Sequence, residues 1–342
     1  MFVEDYSFEL LRRGELAPVK KLGGVTGGSV TGSLHADIRW AGSFTITGSE
    51  ARETNWAGHW IRISHISYMG KDKKITPIGV FTPVSVKTHD SRTEGEYSQE
   101  ITFCDLTTVP HEAKTVYTYT ITSGTPIGEA VERLLERSGQ TVHLVDRSRG
   151  ALRSTLTWEP QTPRLKIIND ILDAAGCFAL YATRDGVLRA AKYLPPRQRA
   201  VKYDFTGRNI TPIHIPDMDY DSEITRANEI ICISSSTGGK KALTAVARNE
   251  NPASPFSYQS LGRWISETYT GIEVSGQEAL QIHADRKLSI GTAGRLIERR
   301  MLFTDLDLND TVQGENLETV ENLRIDFTPG SLMSVQSREV GL

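Results

Sequence analysis

The sequence of 342 residues is poor in cysteine and has no long apolar run. Its three cysteines, Cys104, Cys177 and Cys232, lie far apart beside apolar neighbours and form no CxxC pair. This pattern indicates buried thiols rather than a disulfide framework or a metal site. No stretch approaches the ~18 uninterrupted apolar residues of a membrane span, and the N-terminal residues lack the pattern of a secretory signal. We therefore expect no membrane anchor and synthesis in the cytoplasm.

An excess of charge of one sign is also missing. Lys and Arg number 39 against 42 Asp and Glu, which gives a formal net charge of −3. This balance excludes a strongly basic nucleic-acid-binding protein. Hydrophobic residues make up 38% of the chain, which excludes a disordered tail. At roughly 100–200 residues per domain, the length predicts two or three domains.

Motifs of the common enzymes and cofactor sites are absent as well. The glycine-rich run Gly23–Gly32 lacks the GxGxxG spacing and a following helix, so it is predicted to be a flexible arm or turn. There is no GxSxG elbow, the histidines have no metal-ligand spacing, and His283 is interpreted as a packing residue. We expect no enzyme, no cofactor and no metal, although paired glycosidase carboxylates cannot be recognised from sequence.

Two acidic runs place oxygen-bearing side chains at alternate positions, as calcium loops do. Both Asp217–Asp221 and Asp305–Asn309 lack the glycine and the bidentate glutamate that a calcium loop needs. The second run also alternates with Leu306 and Leu308, which a strand explains. A calcium site at Asp217–Asp221 stays open.

The wider stretch 305–326 holds many acids and a single base, Arg324. It is interpreted either as a solvated loop or as an acidic wall that faces something which must not adhere, such as moving DNA. The candidate channel-facing residues are Asp305, Asp307, Asp310, Glu315 and Glu318.

Hydrophobic periodicity predicts a β-rich chain with an α+β part. Leu34–Ile46 and Ile78–Val86 alternate between apolar and polar residues, which predicts strands with one buried and one solvated face. Helices are predicted to begin at Thr125-Pro126 and Thr162-Pro163, each with a threonine cap and a closing glycine. A third helix is predicted to follow the capping box Ser275–Glu278.

Four segments in a fixed order resemble the tail-hub proteins of long-tailed bacteriophages, and also the hubs of contractile baseplates and type VI secretion spikes. They are GSLHADIRWAGSFTITG (32–48), ENPASPFSYQSLGR (250–263), SGQEALQIHADRKL (275–288), and LDLNDTV (306–312) with LRIDFTPGSLMSVQSREV (323–340). The resemblance spans nearly the whole chain, and it depends on order and spacing more than on any single segment.

The resemblance implies a mainly β protein with two barrels like tail-tube subunits, an intermediate α+β domain and an inserted helix-containing domain. The first barrel would be residues 1–121 and the intermediate domain 122–200. The second barrel would be 201–245 with 295–342, and the insert 246–294. Residues 201–215 could instead return to the first barrel.

The function implied is that of a structural hub at a phage tail tip or baseplate. Three copies would form a ring that closes the sixfold tail tube, nucleates tail assembly and opens for genome ejection. Its partners would be further copies of itself, the distal tail-tube ring, the tape-measure protein and other tail-tip or fibre proteins, with phage DNA passing through without specific binding. It would be assembled in the host cytoplasm and reside in the virion. The alternatives are a cell-wall hydrolase of the tail and a carbohydrate- or receptor-binding module.

Overall fold

The computed structural model describes residues 2–69, 72–91, 96–148, 150–206, 226–236, 241–292 and 294–340, in which β-strands are the commonest regular structure. The predicted calcium run Asp217–Asp221 lies outside these residues. The helices are α1 (Ser49–Glu53), α2 (Thr108–Glu112), α3 (Ile127–Arg137), α4 (Arg164–Ala174), α5 (Tyr258–Leu261) and α6 (Gln277–Gly291). The strands are β1 (Phe2–Arg12), β2 (Pro18–Leu22), β3 (Val25–Ser33), β4 (Trp40–Thr47), β5 (His59–Met69), β6 (Asp72–Ser91), β7 (Glu96–Asp105), β8 (Tyr119–Ile121), β9 (His143–Val145), β10 (Leu156–Trp158), β11 (Tyr181–Ala182), β12 (Leu188–Ala190), β13 (Val201–Asp204), β14 (Glu229–Ser234), β15 (Thr244–Arg248), β16 (Ser266–Ile272), β17 (Leu296–Met301), β18 (Thr311–Gln313), β19 (Leu317–Asp326) and β20 (Met333–Glu339).

One sheet joins the two ends of the chain. β3 pairs with β4 on one edge and with β19 on the other, so that strands of the N-terminal third continue into strands of the C-terminal segment. The neighbours run in the order β6, β7, β4, β3, β19, β20, β17, and every pair is antiparallel. We call this set of strands the spanning sheet. Only residues 84–91 of β6 are included in it.

Aromatic and aliphatic side chains from both ends of the chain share one core under the spanning sheet. Phe44 and Phe103 of the N-terminal strands belong to the same buried cluster as Leu323, Ile325 and Phe327. The ring centroids of Phe103 and Phe327 are 6.5 Å apart. Because the buried cluster is shared, the N-terminal and C-terminal strands stabilise each other through apolar burial as well as backbone pairing.

The glycine-rich run is a strand rather than the flexible arm or turn that the sequence predicted. Most of it forms β3, in the interior of the spanning sheet. Gly28 and Gly32 are needed because neighbouring groups lie directly on the backbone: a Cβ on Gly28 would meet the Ser43 carbonyl oxygen at 2.2 Å, and one on Gly32 would come within 2.7 Å of the Trp40 ring. On the next strand, a Cβ on Gly42 would meet the Ser29 carbonyl oxygen at 2.3 Å and the Phe103 ring at 2.7 Å.

The predicted alternation holds only in part. Within Leu34–Ile46, the strand begins at Trp40, and the residues before it form a turn closed by a hydrogen bond from the Ser33 N–H to the Arg39 carbonyl. In β6, residues 78–82 are buried on both faces. The expected solvated face is covered because Val80 packs, with Leu11 and Trp60, into the core of the α+β part.

The helices of the α+β part lie where the sequence predicted, with a different N-terminal cap. α3 and α4 begin after Pro126 and Pro163, and the preceding threonines do not cap them. Both helices end in a left-handed glycine, Gly139 and Gly176, whose φ angles are 79° and 65°. In each case the N–H groups of the glycine and of the residue after it donate to carbonyls of the last turn, the Schellman arrangement that satisfies helix C-termini.

A third core extends beyond the predicted insert 246–294, because β14 and the start of β15, which were predicted to belong to the second barrel, are part of it. β14, β15 and β16 form a separate sheet against α6, whose Leu280 and Ala284 are buried. The predicted capping box does not form, since Gly276 is the N-cap and no side chain bonds to it. His283 is a packing residue, as predicted: it is 6% exposed and its Nε2 lies 2.8 Å from the Asp173 carbonyl oxygen. The boundary predicted at residue 245 falls inside β15, and the division into two barrels stays a prediction.

A buried carboxyl–imidazole pair also connects the two ends of the chain. Glu4 on β1 and His65 on β5 lie 3.5 Å apart, and each side chain is 3% exposed. Glu4 accepts a hydrogen bond from the Gly330 N–H, and the His65 ring stacks on Phe303 at 3.9 Å. Burial and the charge of Lys74 lower the pKa of His65 to about 4. The same burial raises the pKa of Glu4.

The close contacts at Gly42 predict that Gly42→Ala destabilises the chain by about 1–3 kcal/mol, the usual cost of overpacking a filled core. Gly27→Ala is the matched control, because a Cβ there meets no atom within 4 Å on a neighbouring strand. Chemical denaturation of both variants measures the difference. Equal stabilities would show that the spanning sheet is not packed as described.

The lowered pKa of His65 predicts that the folded protein loses stability as the pH falls. Its pKa is about 6.5 in an unfolded chain and about 4 in the folded protein. The unfolded state therefore binds an extra proton between these values, and stability falls as the pH falls, by at most about 1.4 kcal/mol per pH unit. Because Glu4 titrates in the opposite sense, the comparison is between Glu4→Gln and Glu4→Gln/His65→Gln. Denaturation from pH 7 to pH 5 should show a steeper loss for the variant that keeps His65.

Candidate functional site

One face of the spanning sheet carries small polar side chains from edge to edge. Residues that pair directly across an antiparallel ladder point to the same face. Thr102 pairs with Ser43, Ser43 with Ser29, and Ser29 with Asp326, so these side chains form one row across four strands. On each of these strands, the residues before and after the member of the row point to the opposite face, where the buried cluster lies. We call this side of the sheet the polar face.

The polar face contains no large apolar side chain over its central strands. Hydroxyl groups and small residues dominate it, with long polar side chains towards the C-terminal strands. From edge to edge its members are Ser85, Lys87 and His89; Ser98, Glu100 and Thr102; Ala41, Ser43, Thr45 and Thr47; Ser29, Thr31 and Ser33; Asn322, Arg324 and Asp326; Ser334, Gln336 and Arg338; and Glu298 and Arg300. All are exposed or half-buried.

Positive and negative charges are interleaved on the polar face. Arg324 and Asp326 are paired at 2.8 Å, and Arg300 and Glu298 lie 3.6 Å apart. Such a surface offers hydroxyl groups and paired ions rather than a run of unpaired cations. Since phosphate backbones are retained chiefly by clustered Lys and Arg, the polar face is suited to lie beside a polyanion without holding it.

Two of the predicted channel-facing acids, Asp305 and Asp307, lie in a loop that contacts the α+β part. Arg184, from the turn between β11 and β12, lies 2.6 Å from Asp305 and 3.3 Å from Asp307. It also donates a hydrogen bond to the Leu306 carbonyl. Burial raises the pKa of Asp307, and the charge of Arg184 opposes that rise. These two carboxylates therefore hold the C-terminal segment against the α+β part.

Two further predicted acids have cations beside them. Asp310 lies 3.3 Å from the Lys202 ammonium and accepts a hydrogen bond from the Asp307 N–H. Glu315 lies 3.2 Å from Arg295, and its side chain is 84% exposed. Of the five candidates, Glu315 has the most exposed carboxylate.

Glu318 has no exposed surface, so it cannot line a channel in this chain. Its two carboxylate oxygens accept hydrogen bonds from Arg299 at 2.6 and 2.8 Å, and Ser337 donates a third bond. Arg299 is also buried, with its guanidinium 4.5 Å from the Phe205 ring. The pair is a fork-like ion pair inside the C-terminal part of the sheet.

The polar face was missed by the sequence reasoning, although its signal was present. Ser29, Thr31 and Ser33 alternate with buried positions, as do Ala41, Ser43 and Thr45 on the next strand. Both runs have the period of two that marks one face of a strand. What the sequence could not supply was the pairing that brings the runs together.

A metal-binding cluster and a membrane-crossing helix are both absent from the described residues. No group of three His, Cys, Asp or Glu side chains among them is placed to hold a metal ion. No helix within the described ranges is both long and apolar enough to cross a membrane.

Comparison with known proteins identifies the fold. No protein-family model and no curated protein sequence matches the chain. Among solved structures, a tail protein from Neisseria meningitidis MC58 is similar over 99% of this chain and 97% of its own, with a TM-score of 0.59 and 15% identity. The 43 kDa tail protein of prophage MuSo2 from Shewanella oneidensis is similar over 98% of both chains, with a TM-score of 0.59 and 12% identity.

A chain from another kind of complex shares the same fold. A chain of the Francisella PdpA–VgrG complex is similar over 99% of this chain and 58% of its own, with a TM-score of 0.58 and 8% identity. The chain therefore has the β-rich fold of these tail proteins, and the resemblance predicted from the sequence is confirmed at the level of the fold.

The buried ion pair predicts unequal effects for two neighbouring glutamates. Glu318→Gln removes the counter-charge of buried Arg299 and should destabilise the chain by about 3–5 kcal/mol. Glu315→Gln, at an exposed carboxylate, should change stability by less than about 0.5 kcal/mol. Denaturation at neutral pH compares the two variants. Similar losses would contradict the structural role of Glu318.

Proposed function

We propose that this protein is a structural hub of a bacteriophage tail tip or baseplate, in which three copies form a ring at the end of the tail tube. The ring closes the sixfold tube, nucleates tail assembly and opens for genome ejection. In this proposal the protein acts in the virion, with the distal tube ring, the tape-measure protein and fibre proteins as partners, and it has no catalytic step.

The spanning sheet is the observation that carries the proposal. Two sets of antiparallel strands contribute to it: β6, β7, β4 and β3 from the N-terminal third, and β19, β20 and β17 from the C-terminal segment. Because each chain has two such sets of strands, a ring of three chains has six, which matches a sixfold tube. Each set lies in one of the two predicted barrels.

The polar face is the surface that we assign to the channel. Its central strands carry Ser, Thr, Ala and Gly, which keep the wall thin, and its charges are interleaved. Passing DNA would meet hydroxyl groups and paired ions that neither bind phosphate strongly nor expose apolar surface. Of the acidic segment, we keep Asp305 and Glu315 as residues at the rim, since their side chains are 46% and 84% exposed.

The fold of the neighbouring proteins supports this assignment. Two of them are tail proteins, one of them from a prophage, that align with this chain over nearly their whole length. The third is a chain from a complex that contains VgrG. A direct experiment tests the hub role, the trimer and the channel together.

The experiment combines mass with thiol labelling. Light scattering on the purified chain should give a mass three times that of one protomer at high concentration. In a Cys104→Ser background, Thr102→Cys on the polar face should react in the ring with a small maleimide but not with one coupled to a bulky polymer. Thr120→Cys, on an exposed strand of the α+β part, is the control and should react with both. A strict monomer, or equal labelling at both sites by the bulky reagent, would contradict the proposal.

A further inference from the structure

A cleft of about 220 Å³ lies on the surface of the α+β part. Residues 115–119, which lead into β8, form one side of it, and Arg137 at the end of α3 and Arg164 at the start of α4 form the other. We call it the arginine cleft. None of its lining residues belongs to the spanning sheet, so the proposed channel does not account for it.

Two apolar side chains at the arginine cleft are strongly exposed. Tyr117 is 80% exposed and Val116 is 69% exposed, which makes them the most exposed of the large apolar side chains in the described part of the chain. Single exposed apolar residues are ordinary on a protein surface, but here two adjacent ones line the same cleft. A partner with apolar side chains would remove this area from water.

The backbone at the arginine cleft has hydrogen-bonding groups that are not used within the chain. β8 pairs with β10 as far as Tyr119, and pairing of the same two segments resumes at Lys114. In the gap between them, Val116 and Tyr117 form no backbone hydrogen bond with any described residue. On the opposite segment Gln161 has a left-handed conformation, with φ 68°, at the interruption. The backbone of an incoming peptide could pair with these open N–H and C=O groups.

The charged groups that line the arginine cleft are both cations. Arg164 donates a hydrogen bond from its guanidinium to the Arg137 carbonyl oxygen, which fixes the two residues beside each other. Neither guanidinium is paired with a carboxylate of the described residues, and Asp170 on α4 is paired with Lys166 instead. A carboxylate that entered the cleft would therefore meet two guanidinium groups without displacing an existing ion pair.

We propose that the arginine cleft binds an extended segment of another protein that carries both carboxylates and apolar side chains. The carboxylates pair with Arg137 and Arg164. The apolar side chains cover Val116 and Tyr117, and the backbone of the segment bonds to the open groups there. The inference does not depend on the proposed ring, because the cleft is complete within one chain.

Backbone and charge favour a peptide over a nucleic acid. Aromatic rings and arginines also occur together in sites for single-stranded nucleic acids. Such sites retain the phosphate backbone through many cations, whereas this cleft is lined by two. A nucleic acid also has no main-chain amides to pair with the open groups of Val116 and Tyr117.

Fluorescence anisotropy of a labelled decapeptide tests the inference on the full chain. A decapeptide of alternating Glu and Val should bind with a Kd below about 1 mM. Decapeptides of alternating Glu and Ser, or of alternating Lys and Val, should bind about tenfold more weakly, because each lacks one of the two required features. No measurable binding of the Glu and Val peptide at that concentration, or equal binding of all three, would overturn the inference.

Variants of the cleft locate the binding. Arg137→Glu should weaken binding of the Glu and Val decapeptide by about tenfold or more, because repulsion replaces an ion pair. Tyr117→Ser should weaken it by about three- to tenfold, because an aromatic contact is lost. Arg189→Glu, at an exposed position on β12 outside the cleft, is the matched control and should bind like the unaltered chain. Both cleft residues are exposed, so the variants should keep the fold, which thermal denaturation checks.

Unchanged binding in both cleft variants would overturn the inference, and two further results would replace the occupant. A labelled oligothymidine that binds more tightly than the decapeptide, and is lost in Arg137→Glu, would identify a nucleic-acid site. A mass by light scattering that falls in Arg137→Glu would show that the cleft is a contact between copies. The decapeptide titration gives its result whether or not the chain forms a trimer, so failure of this inference and failure of the proposed hub can be told apart.

Discussion

The pairing of β3 with β19 is the constraint on which the rest of the structure depends. Five successive residue pairs, from Asn322 with Ser33 to Asp326 with Ser29, join strands that are nearly 300 positions apart in sequence. Without this ladder the N-terminal and C-terminal strands would form two sheets, each with an additional open edge. With it, one apolar cluster lies under both ends of the chain, and one polar face extends across them. The contact is highly non-local, so its formation requires closure of a long loop.

Electrostatic contacts hold the remaining parts of the chain to this sheet. The stretch 305–326 looks strongly acidic in sequence, yet several of its carboxylates pair with cations outside it. These are Arg184 and Lys202 earlier in the chain, Arg295 just before β17, and Arg338 on β20. Of the two interpretations of the stretch, neither a freely solvated loop nor an acidic wall describes it fully. It is largely a set of ion pairs between parts of the fold, some buried and some at the surface.

Local structure was predictable from sequence where short-range chemistry decides it. The helices after Pro126 and Pro163 and their closing glycines were found because Pro and Gly act within one turn of the chain. The threonine caps were wrong since a cap depends on the φ and ψ of one residue, and here the prolines take that position. The glycine-rich run was wrong for a different reason. Its glycines accommodate Trp40 and the backbone of β4, which are contacts that only the folded sheet reveals.

The candidate site was harder to predict because it belongs to no single segment. Each strand contributes two to four small residues, which alone indicate nothing beyond a solvated strand face. Together they give the sheet two different sides, with aromatic rings packed on one and small polar side chains on the other. Gly42 shows both demands at one position, since it lies beside the Phe103 ring within the core while its neighbours Ala41 and Ser43 face outward. In the proposed ring this asymmetry would suit a wall around passing DNA, because the outward residues of β3 and β4 include no large or cationic side chain that would obstruct or bind it.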